Sequence, residues 1–246
     1  MKYPILQLTS KQELEVKKFN QNIEIRLEKL NCIICNSSNY KELYTNDRYG
    51  IHQKTVLCYT CGLVYSNPRM SIESLDYFYA SNLYRELYGT SVDIEHDISK
   101  RAKKWKKNII INKPNFNKYY PQLFLDFIFS LNIDYKTVCD IGAGYGTNLL
   151  FFKNVGKEVF GLEPSKTAVK IAIDNQINVK QGFVNDLKDK YDMIILKHVF
   201  EHLHNPLKDL QKIRLHTNKY LFIEVPGNFR RLASIQNAHN FYFTEN

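Results

Sequence analysis

Asp140 stands just ahead of Gly142, Gly144 and Gly146 in residues 137–147, Thr-Val-Cys-Asp-Ile-Gly-Ala-Gly-Tyr-Gly-Thr. The run predicts a short buried strand ending in a carboxylate, then a glycine turn, then the amino end of a helix. Glycine there lets the backbone approach a ligand that any Cβ would hold away, and the helix end supplies N–H groups and positive potential. The spacing is G-x-G-x-G, with Ala143 and Tyr145 between the glycines, and not the G-x-G-x-x-G of dinucleotide sites. A carboxylate at that point repels a pyrophosphate and attracts an ammonium group. One strand later, Val-Phe-Gly-Leu-Glu-Pro places Glu163 before Pro164, where an acidic side chain can take two ribose hydroxyls. Together these residues describe a nucleoside that carries a cationic amino-acid tail.

A second chemistry sits near the amino terminus. Cys32-Ile-Ile-Cys35 and Cys58-Tyr-Thr-Cys61 are two C-x-x-C pairs, and Gly62 follows the second. That spacing lets two thiolates of each pair reach one tetrahedral ion, and four thiolates would close the shell of a structural Zn²⁺. In a reducing compartment the same cysteines are poor candidates for disulfides. The fifth cysteine, Cys139, lies inside the strand before the glycine turn and reads as a small buried hydrophobe.

His198-Val-Phe-Glu201-His202 also fits the H-x-x-E-H pattern of some zinc peptidases. That chemistry needs both histidines on one face of a long helix. Here the segment follows the strand-like Tyr191–Lys197 and precedes Asn205-Pro206, which restarts a helix. Its context is a strand end and a loop, so metal ligation is not expected.

The glycine run resembles motif I, and Glu163 the acidic motif II residue, of the class I S-adenosylmethionine-dependent methyltransferases. The resemblance implies a Rossmann-like α/β fold, a doubly wound parallel sheet, with Asp140, Gly142, Ala143, Gly144, Tyr145 and Gly146 at the methionine end of the cofactor. Glu163 and Pro164 would then flank the ribose. Gln181–Asp186 sits where the family has motif III, which implies Phe183, Val184 and Asn185, with Asp186 next, at the adenine. Lys197-His-Val-Phe-Glu-His-Leu-His-Asn-Pro206 resembles motif IV, so Lys197, His198 and Val199 would line the methionine tail, with Glu201 and His202 near the transfer site.

The cysteine pairs, followed by Cys-Gly-Leu-Val-Tyr-Ser-Asn-Pro-Arg at 61–69 and a tyrosine-rich stretch, are similar to the small zinc module ahead of the methyltransferase domain in bacterial sugar C-methyltransferases. That similarity implies a tyrosine facing the acceptor, with Tyr84 the best match among Tyr77, Tyr79, Tyr84 and Tyr88. In the same family a Glu-His pair ahead of an aromatic run carries the proposed general base. This chain keeps His239 with Phe241, Tyr242 and Phe243 but has Ala238 in place of the glutamate. Without that carboxylate, carbon as the methyl acceptor is open against oxygen. The implied acceptor is a sugar, a nucleotide-sugar or a related small metabolite of surface-glycan or secondary-metabolite type.

The elements that must position these residues can be read from pattern. Ser10-Lys-Gln-Glu13 reads as a capping box for a helix over 11–19, and residues 22–30 alternate like a strand. Strand 63–65, a turn at Asn67-Pro68 and a helix capped by Ser71 follow the second cysteine pair. Residues 93–108 and 121–131 read as helices, separated by Lys113-Pro114. Strands at 138–141, 159–162, 178–181, 191–197 and 220–225 then alternate with helices at 148–154, 165–175 and 206–217, the pattern of a parallel sheet covered on both faces. The domains expected are an N-terminal extension at 1–30, a zinc-binding module at 31–90, a helical connection at 91–130 and the cofactor domain at 131–246. The two antiparallel strands that close the resembled sheet would begin about where the chain stops, so a truncated form of a longer polypeptide is expected.

At 246 residues, 44% hydrophobic and 24% charged, the chain reads as a soluble globular protein of one large or two small domains. No apolar run reaches the roughly 18 residues of a membrane span, and no signal-peptide core is evident, so a cytoplasmic location is expected. The net charge of +9 is densest at Lys100–Lys107, Lys-Arg-Ala-Lys-Lys-Trp-Lys-Lys. That run fits a phosphate-binding patch or, more simply, a solvated helix face. Two other functions fit the same chain. One is an RNA methyltransferase using a zinc ribbon, against which stands the absence of the Asn/Asp-Pro-Pro-Tyr/Phe motif of base N-methyltransferases. The other is a non-catalytic adenosylmethionine-binding protein.

Overall fold

The computed structural model describes residues 7–80, 120–227 and 235–243. They fall into two compact units, one of 7–80 with 200–206, 225–227 and 235–243, the other of 120–199 with 207–224. Tyr84, Tyr88, Lys100–Lys107 and the helix expected at 93–108 lie outside the described residues.

The first unit opens with α1 (Ser10–Gln21). Its cap is Thr9 rather than Ser10: the Thr9 hydroxyl accepts the Gln12 N–H at 3.3 Å, and Gln12 Oε1 accepts the Thr9 N–H at 3.0 Å. The capping box thus sits one residue before the expected one, with Gln12 in place of Glu13. Phe19 is the buried side of this helix and meets Phe78 edge-on. The strand expected over 22–30 shrinks to β1 (Leu27–Glu28). Asn22 ends α1 and its side chain accepts the Glu24 N–H, while Ile23 points into solvent, so the alternation there is not a buried face.

Between the cysteine pairs lies an antiparallel hairpin of β2 (Tyr40–Asn46) and β3 (His52–Cys58). The inward-facing Gln53 and Thr55 hid its apolar side. β4 (Val64–Ser66) adds to β3, and β5 (Arg69–Met70) pairs with β1. α2 (Ile72–Ala80) begins after Ser71, whose hydroxyl accepts the Ser74 N–H as expected of a cap.

The second unit carries α3 (Tyr120–Ser130), β6 (Thr137–Ile141), α4 (Thr147–Asn154), β7 (Glu158–Glu163), α5 (Lys166–Asp174), β8 (Val179–Gln181), β9 (Tyr191–Lys197), α6 (Pro206–His216) and β10 (Thr217–Glu224). The first residue of α6 groups with the other unit. The strands form one parallel sheet in the order β10-β9-β6-β7-β8. β6 is therefore central, and the chain steps outward through β7 and β8 before crossing to β9 and β10. This is the doubly wound α/β architecture expected from sequence. Met193, Ile194, Ile195 and Leu196 are all fully buried, so both faces of β9 are covered. One face packs Val138, Met193 and Ile195 against Phe124 and Ile128 of α3, Leu149 and Phe152 of α4 and Ala172 of α5. No helix among the described residues is long and apolar enough to cross a membrane.

The last described element, β11 (Phe241–Tyr242), pairs antiparallel with β4. Residues 200–206 and 235–243 therefore belong with the amino-terminal unit and not with the sheet of β6–β10, a different division from the cofactor domain drawn at 131–246. Both strand residues are buried, Phe241 among Cys32, Val56, Cys58 and Tyr65.

Candidate functional site

In the second unit, the turn after β6 is built by three glycines in the left-handed region, Gly142 at φ +72°, Gly144 at +55° and Gly146 at +76°. They are constrained differently. A Cβ on Gly142 would stand 2.3 Å from Val199 Cγ2, and one on Gly146 would stand 2.9 Å from Ile177 Cγ2, so both are packing positions. A Cβ on Gly144 would meet nothing within 4 Å. Gly144 thus leaves room beside the backbone, as a ligand-facing turn requires. Ala143 is buried in the core, so it contributes backbone and not side chain.

Glu163, at the end of β7, ties this turn together. Its Oε2 accepts the Gly144 N–H and its Oε1 the Ser165 N–H, both at 2.9 Å. Ser165 in turn caps α5 by accepting the Ala168 N–H, and Pro164 gives its carbonyl to the Gln181 side chain. Glu163 therefore sets the distance between the two strand ends. That its first partners are backbone N–H groups was not legible from spacing alone.

Asp140 is buried at the end of β6, with Oδ2 accepting from Asn148 Nδ2 at 3.1 Å. Burial pushes its carboxyl up to about 7, the Asn148 bond and the Lys197 charge work against that, and the Glu163 charge adds to it. The Glu163 charge beside the buried Asp140 carboxyl makes a place where a ligand cation is favoured. Asn148 was readable only as the first turn of a helix.

Lys197, at the end of β9, is held below the ordinary lysine range by burial, with Glu224 and Asp140 opposing. Its Nζ lies 5.1 Å over the Phe124 ring and 4.0 Å from Glu224 Oε1. His198 has φ +53°, and its Nε2 lies 3.1 Å from the same Glu224 oxygen. Glu224 thus engages two of the three residues expected to line the methionine tail, and the third, Val199, covers Gly142. Of the residues expected at the adenine, Phe183 is exposed and able to offer a ring face, whereas Val184 is buried. Asn185 gives its carbonyl to Lys212, and Asp186 folds back onto the Phe183 N–H at 2.8 Å.

In the first unit, Cys32, Cys35, Cys58 and Cys61 bring their sulfurs within 4.8 Å of one another. Cys32 Sγ stands 3.4 Å from Cys61 Sγ, and Cys35 Sγ 3.5 Å from Cys58 Sγ. Sulfurs about 2.3 Å from one tetrahedral ion are about 3.8 Å apart, so this donor set fits a single metal ion. The residue after each pair, Asn36 or Gly62, has positive φ, and each pair's first carbonyl accepts the N–H of that residue. The knuckle glycine was legible; its counterpart Asn36 was not.

A second cluster in this unit joins the loop 200–206 to residues 235–243. Glu201, His202 and His239 have ligand atoms within 4.8 Å of one another. Such a grouping could hold a metal ion, with Glu201 Oε1 3.7 Å from His202 Nε2. His202 Nδ1 lies 2.7 Å from the Ala238 carbonyl, and the His202 and His239 rings meet edge-on at 4.8 Å. Asn240 fixes the loop, donating its backbone N–H to the Glu201 carbonyl and its side-chain N–H groups to the His202 and Leu203 carbonyls. Ser66 donates to the His239 carbonyl, and Asp47 Oδ2 accepts the Asn237 N–H. His198 is not in this cluster. Sequence reading had set His239 beyond the fifth strand of the sheet without a carboxylate partner. The structure instead sets it in the amino-terminal unit beside Glu201, a grouping of residues too far apart in sequence to be seen by spacing.

Residues 115–245 match the family model described as a methyltransferase domain. A search of curated protein sequences finds no match. Among solved structures the chain is similar to coclaurine N-methyltransferase bound to N-methylheliamine and SAH, at 22% identity over 45% of this chain and 38% of that one, with a TM-score of 0.39. It is also similar to CalS10, an amino pentose methyltransferase from Micromonospora echinaspora, at 19% identity over 39% and 44%, TM-score 0.35. A third is magnesium protoporphyrin IX methyltransferase from Synechocystis PCC 6803 with bound SAH, at 14% identity over 62% and 71%, TM-score 0.42. The chain spans less than half the length of the first two of these.

Proposed function

The chain belongs to the methyltransferase-domain family, and on that premise we propose that it transfers a methyl group from S-adenosylmethionine to a sugar, nucleotide-sugar or related small metabolite. The observation that carries the cofactor half is the join of Glu163 to Gly144 at 2.9 Å. It puts an acidic side chain and an open glycine turn together, and these suit a ribose and the tail attached to it. Asp140 would take the ammonium group of the tail, with Lys197, His198 and Val199 behind it, and Phe183 and Asn185 would flank the adenine. The cofactor supplies a methyl group already activated by the sulfonium, so the protein has only to place the acceptor and remove a proton. His239 is the proton acceptor in this reading, with His202 second and Tyr84 toward the acceptor.

The sugar acceptor rests on the likeness of the cysteine module and the 61–69 run to sugar C-methyltransferases. Zn²⁺ on the four cysteines would be structural, since four sulfurs leave no position for a substrate. Four cysteines kept as thiolates fit the reducing cytoplasm. The test is transfer of label from methyl-tritiated S-adenosylmethionine to a panel of dTDP-, UDP- and GDP-linked 4-ketosugars, with total RNA as a parallel acceptor. Label in a nucleotide-sugar is expected. Label in RNA alone, or no binding of S-adenosylmethionine by calorimetry, overturns the proposal.

A further inference from the structure

Lys197 closes β9 on the face of the sheet that also holds Asp140. In the parallel ladder Asp140 lies opposite Ile195, and Lys197 stands two residues further along β9, so both side chains leave the sheet on one side. Glu224 is the direct partner of Lys197 on β10. The Lys197 side chain is 11% exposed, and its Nζ lies 5.1 Å over the Phe124 ring of α3. A lysine at an apolar surface ordinarily covers its stem and leaves the charged head in water. Here the head itself is under cover, at the same group of strand ends as the glycine turn. We propose that Lys197 takes the carboxylate of the S-adenosylmethionine tail while Asp140 takes its ammonium group, so that the site reads the tail as a zwitterion. This inference rests on the cofactor reading given above and adds to it a residue that selects among adenosyl ligands.

A covered ammonium group needs a counter-charge and acceptors for its three N–H groups. Glu224 Oε1, at 4.0 Å, supplies charge but lies beyond hydrogen-bond reach. The same oxygen is nearer His198 Nε2, at 3.1 Å. Asp140 also attracts the lysine charge, and its Oδ2 already accepts from Asn148 at 3.1 Å. Among the described residues Nζ donates no hydrogen bond, so the cation is balanced from a distance and lacks an oxygen beside it. An amino-acid tail supplies that oxygen. Its ammonium and carboxylate groups sit on one carbon, so a cation on the same face as Asp140 meets the second when Asp140 meets the first. Burial holds Lys197 below the ordinary lysine range, and a carboxylate in contact restores its preference for the charged form. A lysine that served only to offset Asp140 would be indifferent to the ligand carboxylate, and this difference can be measured.

The experiment is calorimetry on the full chain near neutral pH with S-adenosylhomocysteine and two trimmed ligands. One is 5′-S-(3-aminopropyl)-5′-thioadenosine, which keeps the amine and lacks the carboxylate. The other is 5′-S-(3-carboxypropyl)-5′-thioadenosine, which keeps the carboxylate and lacks the amine. Removing the carboxylate should weaken binding to the wild type roughly 10- to 100-fold, the ordinary worth of a charge-assisted hydrogen bond. Lys197→Met should bind S-adenosylhomocysteine weaker by roughly the same factor and should no longer distinguish it from the aminopropyl ligand. The carboxypropyl ligand should still be weakened by Lys197→Met, because the substitution acts through the carboxylate. Equal losses on carboxylate removal in the wild type and in a folded Lys197→Met chain overturn the proposal. So does a wild type that binds the aminopropyl ligand as tightly as S-adenosylhomocysteine, a result that needs no mutant to fold. Binding of none of the three ligands to the wild type removes the cofactor reading and this proposal with it. Tight binding of S-adenosylhomocysteine with no response to the carboxylate removes the role of Lys197 alone.

Discussion

Replacing Glu163 with glutamine tests the cofactor turn at the point where one side chain has two duties. In the folded chain both carboxylate oxygens already accept backbone N–H groups, from Gly144 and Ser165. A carboxylate offers about four acceptor directions, so two backbone donors leave capacity for a pair of ribose hydroxyls. Glutamine keeps one oxygen, and its NH₂ must face one of the two N–H groups, donor against donor. Hydrogen bonds to a charged group are worth about 1.5–3 kcal/mol. Glu163 is only half-buried, so water relieves part of the loss in the free protein, and stability should fall by about 1 kcal/mol. The ribose has no such relief once bound, and affinity should fall roughly 10- to 150-fold, at 1.4 kcal/mol per decade. Calorimetry with S-adenosylhomocysteine and its 2′-deoxy analogue reads this directly. Removing the hydroxyl should weaken binding to the wild type by more than it weakens binding to the Glu163→Gln chain. Equal losses in both proteins, or an unchanged Kd for the intact ligand in a folded mutant, would falsify the assignment of Glu163 to the ribose.

Three further outcomes follow from the same geometry. The raised carboxyl of Asp140, at about 7 against an ordinary 3.8, keeps a proton in the folded chain that the unfolded chain releases. Its contribution to stability is therefore present below about pH 4 and lost as the pH rises toward 7. Ligand affinity should run the other way, because an ammonium group favours the ionised form: it should weaken by up to about tenfold per unit below pH 7, and Asp140→Asn should flatten both profiles. Gly144→Ala, with open space around its Cβ, should cost about 1 kcal/mol for its positive φ yet abolish most cofactor binding; Gly142→Ala should instead lower the melting temperature through its clash with Val199. Metal analysis of the purified chain should return one zinc per chain, and Cys32→Ser or chelation should unfold the first unit as read by near-ultraviolet circular dichroism; zinc-free protein with an unaltered spectrum refutes a structural ion.

Strand and helix positions in the second unit were legible because they rest on strong local signals. Val138–Ile141 and Tyr191–Lys197 are short, mostly apolar runs bounded by glycine or turn residues, and observed strands begin or end within a few residues of the expected ones. The helix expected at 165–175 is there, and its cap is Ser165, whose hydroxyl accepts the Ala168 N–H. The first unit was harder. Its hairpin turns Gln53 and Thr55 inward, so the polar residues erase the alternation on which a strand is read. At Ile23, the alternation of residues 22–30 had no burial behind it. The candidate sites divide in the same way. Motif residues within one turn, such as Asp140 with the glycines, could be grouped by spacing. Glu201 with His239 could not, because their meeting depends on Asn240 bonding back to 201–203.

The pairing of β11 with β4 also fixes an order of events during synthesis. Ser66 and His239, joined at 2.8 Å, are 173 positions apart. At roughly 5–20 residues per second, a ribosome needs about 10–35 s to cover that interval. All four cysteines of the proposed zinc site have left the ribosome by then, so the two knuckles can form early. The β4 edge, with Val64 and Tyr65 on it, must wait uncovered while an entire parallel sheet is made. Such an edge is a template for pairing with another chain. The nascent protein therefore passes through a stage in which the cysteine module is nucleated but sticky, and chaperone demand should peak there rather than during formation of the larger sheet.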